Sequence, residues 1–165
     1  IAVSSPCSAE QGDETAIEYL HEWYNKGSED NSPILSDMLN VIQIFCESFM
    51  SMHDRSNYEA SYKLKNFFGI LDEDVYLGHD DTLFKSGKNG FAITEYGIYC
   101  REMFGSYTNY VSFEELGNVE NIYINGSEIY ADGQIIAYIT ASSDEKEDLK
   151  KLFEDIRTSA RLYYS

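Results

Sequence analysis

The sequence predicts an α+β protein in which a helical N-terminal segment precedes a seven-stranded antiparallel barrel capped by a C-terminal helix. Two observations carry its helices and strands. Between Val75 and Ile139, short runs rich in Tyr, Ile, Val and Phe alternate with Gly-containing turns, as consecutive antiparallel strands do. On either side of that stretch, apolar residues recur at helical spacing instead. The chain divides accordingly into a flexible arm over residues 1–12, a helical segment over 13–71 and the barrel with its helix over 72–165.

Residues 1–12 are small and polar without periodicity, which suits a loose arm. From Asp13, a plausible N-cap, the residues Ile17, Leu20 and Tyr24 share one face and Gly27 follows, predicting a first helix over about 14–26. His21 and Glu22 ride on it without partners for acid–base or metal chemistry. Ser32-Pro33 opens a second helix, with Pro where a missing N–H costs nothing. Its apolar residues, from Ile34 to Met52, cover more than one face, which predicts a central core helix. Ala60, Leu64, Phe67 and Phe68 place a third helix from Tyr58 to about Phe67, with Gly69 ending it.

Asp72-Glu-Asp74 separates helix from sheet. The strands are expected over Val75–His79, with Asp81–Phe84 as its continuation or partner, then Gly90–Thr94, Gly97–Glu102, Tyr107–Phe113, Val119–Ile124, Ser127–Ala131 and Gln134–Ile139. Asn89-Gly90, Asn125-Gly126 and Asp132-Gly133 carry the signature of tight hairpins. Ser142-Ser-Asp-Glu145 is a capping box, and Leu149, Leu152, Phe153, Ile156, Ala160 and Tyr163 then form the apolar stripe of the last helix.

Composition bounds the function. The net charge of −17 is spread along the whole chain, and such a field repels phosphate backbones and anionic lipid. Nucleic acid is excluded as an expected partner and a membrane disfavoured, while a basic protein is allowed. Cys7, Cys46 and Cys100 form no CxxC pair, so the thiols are read as reduced and the protein as cytoplasmic. No stretch is long and apolar enough to cross a membrane, and no charged and apolar leader pattern opens these residues. A chain beginning at Ile1 is read as a fragment or a processed product.

The segment Asp80-Asp-Thr-Leu-Phe-Lys-Ser-Gly-Lys-Asn-Gly-Phe-Ala-Ile-Thr-Glu-Tyr-Gly-Ile-Tyr99, followed by Tyr110-Val-Ser-Phe-Glu-Glu-Leu116, resembles the strand pattern of bacterial pleckstrin-homology-like domains. The resemblance covers about residues 75–163 and leaves the first seventy unmatched. It implies the closure of the seven strands into a barrel and a role in binding lipid, peptide or protein.

The chemistry-bearing candidates are few. Ser86-Gly-Lys-Asn-Gly90 has the composition of a phosphate-cradling loop but not the Walker spacing. Lys85, Lys88 and Arg101 are the cations available for an anionic headgroup, the alternative function. His79, Asp80 and Asp81 could gather around a divalent ion, yet no metal-binding spacing is present. Cys100 reads as a strand residue and not an activated nucleophile. No cofactor and no enzymatic activity are expected. The leading expectation is a binding module acting through protein contacts, with an acidic inhibitor or immunity-type protein for a basic partner as its specific form. Tyr96, Tyr99, Tyr107, Tyr110 and Tyr123, with Lys85 and Lys88, are the candidate binding residues, since Tyr offers contact area at small entropic cost.

Overall fold

The computed structural model describes residues 34–105 and 107–165. The expected arm and the helix over 14–26 lie outside the described residues.

Helix α1 spans Leu35–Met52 and starts later than Pro33, because Ile34 is still extended at φ −90° and ψ 158°. It buries Met38, Val41, Ile42, Phe45, Cys46, Phe49 and Met50, so it is the core helix its apolar girth predicts. The third predicted helix is divided in two by a second capping residue. Asp54 accepts from the Ser56 N–H to start a 3₁₀ turn over Arg55–Tyr58, and Ser61 accepts from the Leu64 N–H to start α2 over Tyr62–Phe68. Gly69, in the left-handed region at φ 74°, closes α2.

Seven strands follow. β1 (Val75–Asp80), β2 (Gly90–Thr94), β3 (Gly97–Arg101) and β4 (Asn109–Ser112) form one antiparallel sheet in chain order. After a short helix α3 (Phe113–Gly117), β5 (Ile122–Asn125), β6 (Glu128–Ala131) and β7 (Gln134–Tyr138) form a second. Helix α4, Ser143–Tyr164, closes the chain. The fold class is therefore α+β with two antiparallel sheets, and the expected closed barrel is corrected. Among the described residues no ladder joins the sheets, because α3 intervenes where β4 would have to continue into β5.

Two further corrections concern local chemistry. Residues 81–84 are not a strand: β1 and β2 are joined by a loop over 81–89, so Asn89-Gly90 ends a loop and is not a two-residue turn. The fourth strand stops before Phe113, because Ser112 and Glu115 make a reciprocal capping box at 3.1 and 3.2 Å that starts α3. The Asp132-Gly133 hairpin holds, both residues having the positive φ that its turn type needs.

The core lies between the sheets, where Leu77, Phe91, Ile93 and Ile98 meet Ile129, Ile135 and Ala137, with Phe153 and Ile156 of α4 and Phe45 and Phe49 of α1 completing it. A second, smaller cluster sits on the outer face of the first sheet, where Leu64, Phe68 and Ile70 pack on Ala92. The sequence permits that approach through Gly78. A Cβ there would lie 2.7 Å from Ala60 Cβ and 2.9 Å from Leu64 Cδ2, closer than real contacts allow.

Candidate functional site

One cross-strand row organises the outer face of the first sheet. Gly78 pairs with Ala92, Ala92 with Tyr99, and Tyr99 with Tyr110. Gly78 and Ala92 lie under α2, Tyr99 packs against the same cluster of Leu64, Phe68 and Ile70, and Tyr110 lies beyond it. The two tyrosine rings meet at a centroid distance of 4.6 Å. The Tyr110 hydroxyl donates to the Tyr96 carbonyl at 3.0 Å, bringing the 55 % exposed Tyr96 of the β2–β3 turn to the same place.

Carboxylates border this strip. The Tyr99 hydroxyl donates to Glu73 at 2.7 Å, and Thr94 donates to the other oxygen of Glu73 at 2.8 Å. The Asp74 N–H donates to the Glu95 carboxylate, and the Glu95 N–H to the Asp74 carbonyl, each at 2.9 Å. Asp72-Glu-Asp74 is thereby sewn to the turn that carries Tyr96. Burial, then Glu73, raises the Tyr99 phenol well above its ordinary value; burial, with Glu73 and Glu115 adding, raises Tyr110. Both rings stay neutral donors at physiological pH.

The opposite end of the sheet is built differently. Gly90 pairs with Arg101, so the loop over 81–89 and the β3–β4 connection after Arg101 emerge side by side. Arg101 ties them: its Nε donates to the Lys88 carbonyl at 2.9 Å, and its Nη atoms donate to Thr108 Oγ1 and to the Gly105 carbonyl, both at 3.1 Å. Its guanidinium also lies 4.6 Å from the centre of the Phe67 ring. Asp80 shapes the first loop, accepting from Thr82 N–H and Oγ1 at 3.0 and 2.6 Å and from the Gly87 N–H at 2.9 Å. Gly87 is required there, since φ is +81° and a Cβ would sit 2.7 Å from the Lys63 carbonyl oxygen of α2. Held in this way, Leu83 and Phe84 are each 86 % exposed and Phe104 is 96 % exposed.

The predicted binding residues therefore do not share one face. Tyr96, Tyr99 and Tyr110 form the strip; Lys85, Lys88 and Tyr107 belong to the loop end; Tyr123 is on the other sheet, stacked on Tyr130 at 5.4 Å. Tyr130 donates to Glu128 at 2.8 Å, and that bond, then burial, pushes its phenol up to about 12. Arg101 is occupied by the bonds above, and the Lys85 amine donates to the Asp80 carbonyl at 3.1 Å. Leu83, Phe84 and Phe104 were missed, because an apolar pair between Thr82 and Lys85 reads as strand. The Asp80–Thr82–Gly87 spacing was the available signal of a folded loop.

The other candidates are structural. His79 bridges Asp81 and the Asn57 carbonyl at 2.8 and 2.9 Å, and Asp81 also accepts from Thr140. No group of three metal-ligating side chains gathers among the described residues. Burial raises the thiols of Cys46 and Cys100 well above the ordinary value, leaving them protonated and poorly nucleophilic. No helix among the described residues is long and apolar enough to cross a membrane. No protein-family model matches the chain, and neither a curated protein nor a solved structure does.

Proposed function

We propose that this protein is a non-enzymatic binding module that holds a basic protein or peptide on the tyrosine strip of its first sheet. The observation that carries the reading is the Tyr99–Tyr110 pair beside Tyr96, bordered by Glu73 and Glu95, with Tyr96 and Tyr110 exposed. Arg or Lys side chains of a partner would lie over the ring faces while their charges meet the carboxylates. The net charge of −17 adds long-range steering toward a basic surface, as an inhibitor or immunity-type protein needs for fast association. Four strands, three strands and a closing helix support reading residues 75–163 as a pleckstrin-homology-like arrangement. The buried thiols of Cys46 and Cys100 support a reducing, cytoplasmic setting.

Affinity capture from the source organism tests this. A basic protein should be recovered, its retention should fall as salt rises, and Tyr96→Ser with Tyr110→Ser should weaken it at least about tenfold, the loss of one or two interface anchors. Capture unchanged by both substitutions, in a variant that melts like the parent, defeats the reading.

A further inference from the structure

The turn that joins β5 to β6 holds the most reactive peptide of the fold. We infer that Asn125 is a site of covalent self-modification: the Gly126 nitrogen attacks its side-chain amide and converts it, through a cyclic imide, to aspartate and isoaspartate.

The step needs only the chain and water. The Gly126 nitrogen gives up its proton to solvent and bonds to Cγ of Asn125; the Cγ–Nδ2 bond breaks and ammonia leaves. Water then opens the imide. Cleavage between Cγ and the nitrogen returns a normal aspartate, whereas cleavage at the former main-chain carbonyl routes the backbone through Cβ and Cγ and leaves isoaspartate. Glycine hinders the attack least, having no side chain beside the nitrogen.

Three Asx-Gly steps occur in the sequence, and the structure separates them. Asn89 is buried with its Oδ1 shut off from solvent, and Gly90 is paired inside the sheet with Asp80 on one side and Arg101 on the other. Ring closure there would have to open two ladders. Asp132 precedes Gly133, but its carboxylate accepts from the N–H groups of Glu120 and Asn121 at 2.9 and 2.8 Å. Those bonds hold the carboxyl below its ordinary value, and an ionised carboxylate is a poor electrophile. Asn125 and Gly126 are both exposed, and a Cβ on Gly126 would meet nothing within 4 Å. Among the described residues neither the Asn125 side-chain amide nor the Gly126 N–H has a hydrogen-bond partner. Closing the ring requires the Asn125 backbone to leave its extended conformation, and a two-residue turn at a hairpin tip opens locally at small cost.

The product would not be silent. Asn125 stands directly opposite Glu128, on the face where Tyr123 stacks on Tyr130 and the Tyr130 hydroxyl donates to Glu128. A carboxylate at 125 therefore faces an existing acid, and like charges placed opposite one another weaken a ladder. The turn is also a fastening: the Gly126 carbonyl accepts from Lys146 of α4 at 2.6 Å, and the Ser127 carbonyl accepts from the Ile139 N–H at 2.9 Å. Isoaspartate lengthens the main chain just before these two carbonyls and displaces both.

Ageing of the full chain at mildly alkaline pH, followed by peptide mass spectrometry, tests the inference. In the folded chain Asn125 should convert at least about tenfold faster than Asn89, whose Gly90 is released only by opening of the sheet. In urea, where both Asn-Gly steps are unprotected, their rates should converge. Isoaspartate should be detected as acceptance of methyl groups from an isoaspartyl methyltransferase, and Asn125→Gln should abolish it. The aged parent should melt below the aged Asn125→Gln chain, although the two melt alike when fresh. Conversion of Asn125 no faster than that of Asn89 in the folded chain overturns the inference, as does methyl acceptance that persists in Asn125→Gln. Aged parent and variant that melt alike, with Asn125 converted, overturn the role given to the turn as a fastening.

Discussion

His79 Nε2 and Asp81 Oδ1 lie 2.8 Å apart, and the same carboxylate takes both the N–H and the hydroxyl of Thr140, at 2.8 and 2.9 Å. Nδ1 of His79 faces the Asn57 carbonyl at 2.9 Å. One buried cluster therefore fastens β1 to the 3₁₀ turn on one side and to the segment leading into α4 on the other. Removing Asp81 leaves a buried imidazole, together with the amide and hydroxyl of the exposed Thr140, without their acceptor. Asp81→Ala should cost about 3 kcal/mol or more, lowering the melting temperature by roughly 10 °C for a chain of this size. A shift within error of the parent would show that the cluster contributes nothing net.

Acid should dissolve the same cluster. Burial alone would raise the Asp81 carboxyl, but hydrogen bonds from His79 and Thr140 outweigh it and hold the group below the ordinary aspartate value. A carboxyl whose folded pKa is depressed contributes its stability above the unfolded value of about 4 and loses it as pH falls through the folded one. The difference in melting temperature between the parent and Asp81→Asn should therefore be widest above about pH 5 and close steadily toward about pH 2. A difference constant across that range would assign the effect to packing instead.

Helix α2 rests on the sheet through Gly78, and this contact can be probed by moving one methyl group between two residues. Gly78→Ala sets a Cβ 2.7 Å from Ala60 Cβ, an overlap that should cost about 1–3 kcal/mol. Adding Ala60→Gly removes the atom struck, so the double variant should recover part of the loss despite the helix-adjacent glycine. Urea titrations of the four proteins give the coupling directly. Strict additivity would mean that the strain is relieved elsewhere.

What the sequence discloses of this fold follows the range of the interactions involved. The core stripe of α4 and the Asp132-Gly133 hairpin depend on neighbours a few residues apart, and their periodicity and turn chemistry were readable. Ser112 and Glu115 carried a capping box as legible as that of Ser142 and Glu145, but the strand pattern across Tyr107–Phe113 masked it. The direction of Glu145 was not legible at all. Its carboxylate accepts from the hydroxyl of Tyr58, far away in sequence, instead of returning to the Ser142 N–H. The tyrosine strip was half visible: residue type singled out the rings, whereas their division among two sheets and a loop depends on where α2 covers the row from Gly78 to Tyr110. The exposure of Leu83, Phe84 and Phe104 depends on Arg101 and Asp80 folding two loops, which no periodicity encodes.

Arg101 is the residue on which the paired loops most depend, and charge alone does not explain its role. Three directed N–H bonds, to Lys88, Thr108 and Gly105, leave one planar group whose face lies against Phe67. A lysine keeps the charge but offers a single rotating ammonium that can satisfy no more than part of this set and does not stack in the same way. Arg101→Lys should therefore loosen both loops together: amide hydrogen exchange should quicken over residues 86–89 and 103–108 while β2 and β3 keep their protection. The global cost should stay near 1–2 kcal/mol, roughly one or two hydrogen bonds to a charged group. Faster exchange in one loop alone would show that each folds by its own contacts and that Arg101 does not couple them. Exchange unchanged in both would locate the coupling in the ladder pairing of Gly90 with Arg101 and not in the side chain.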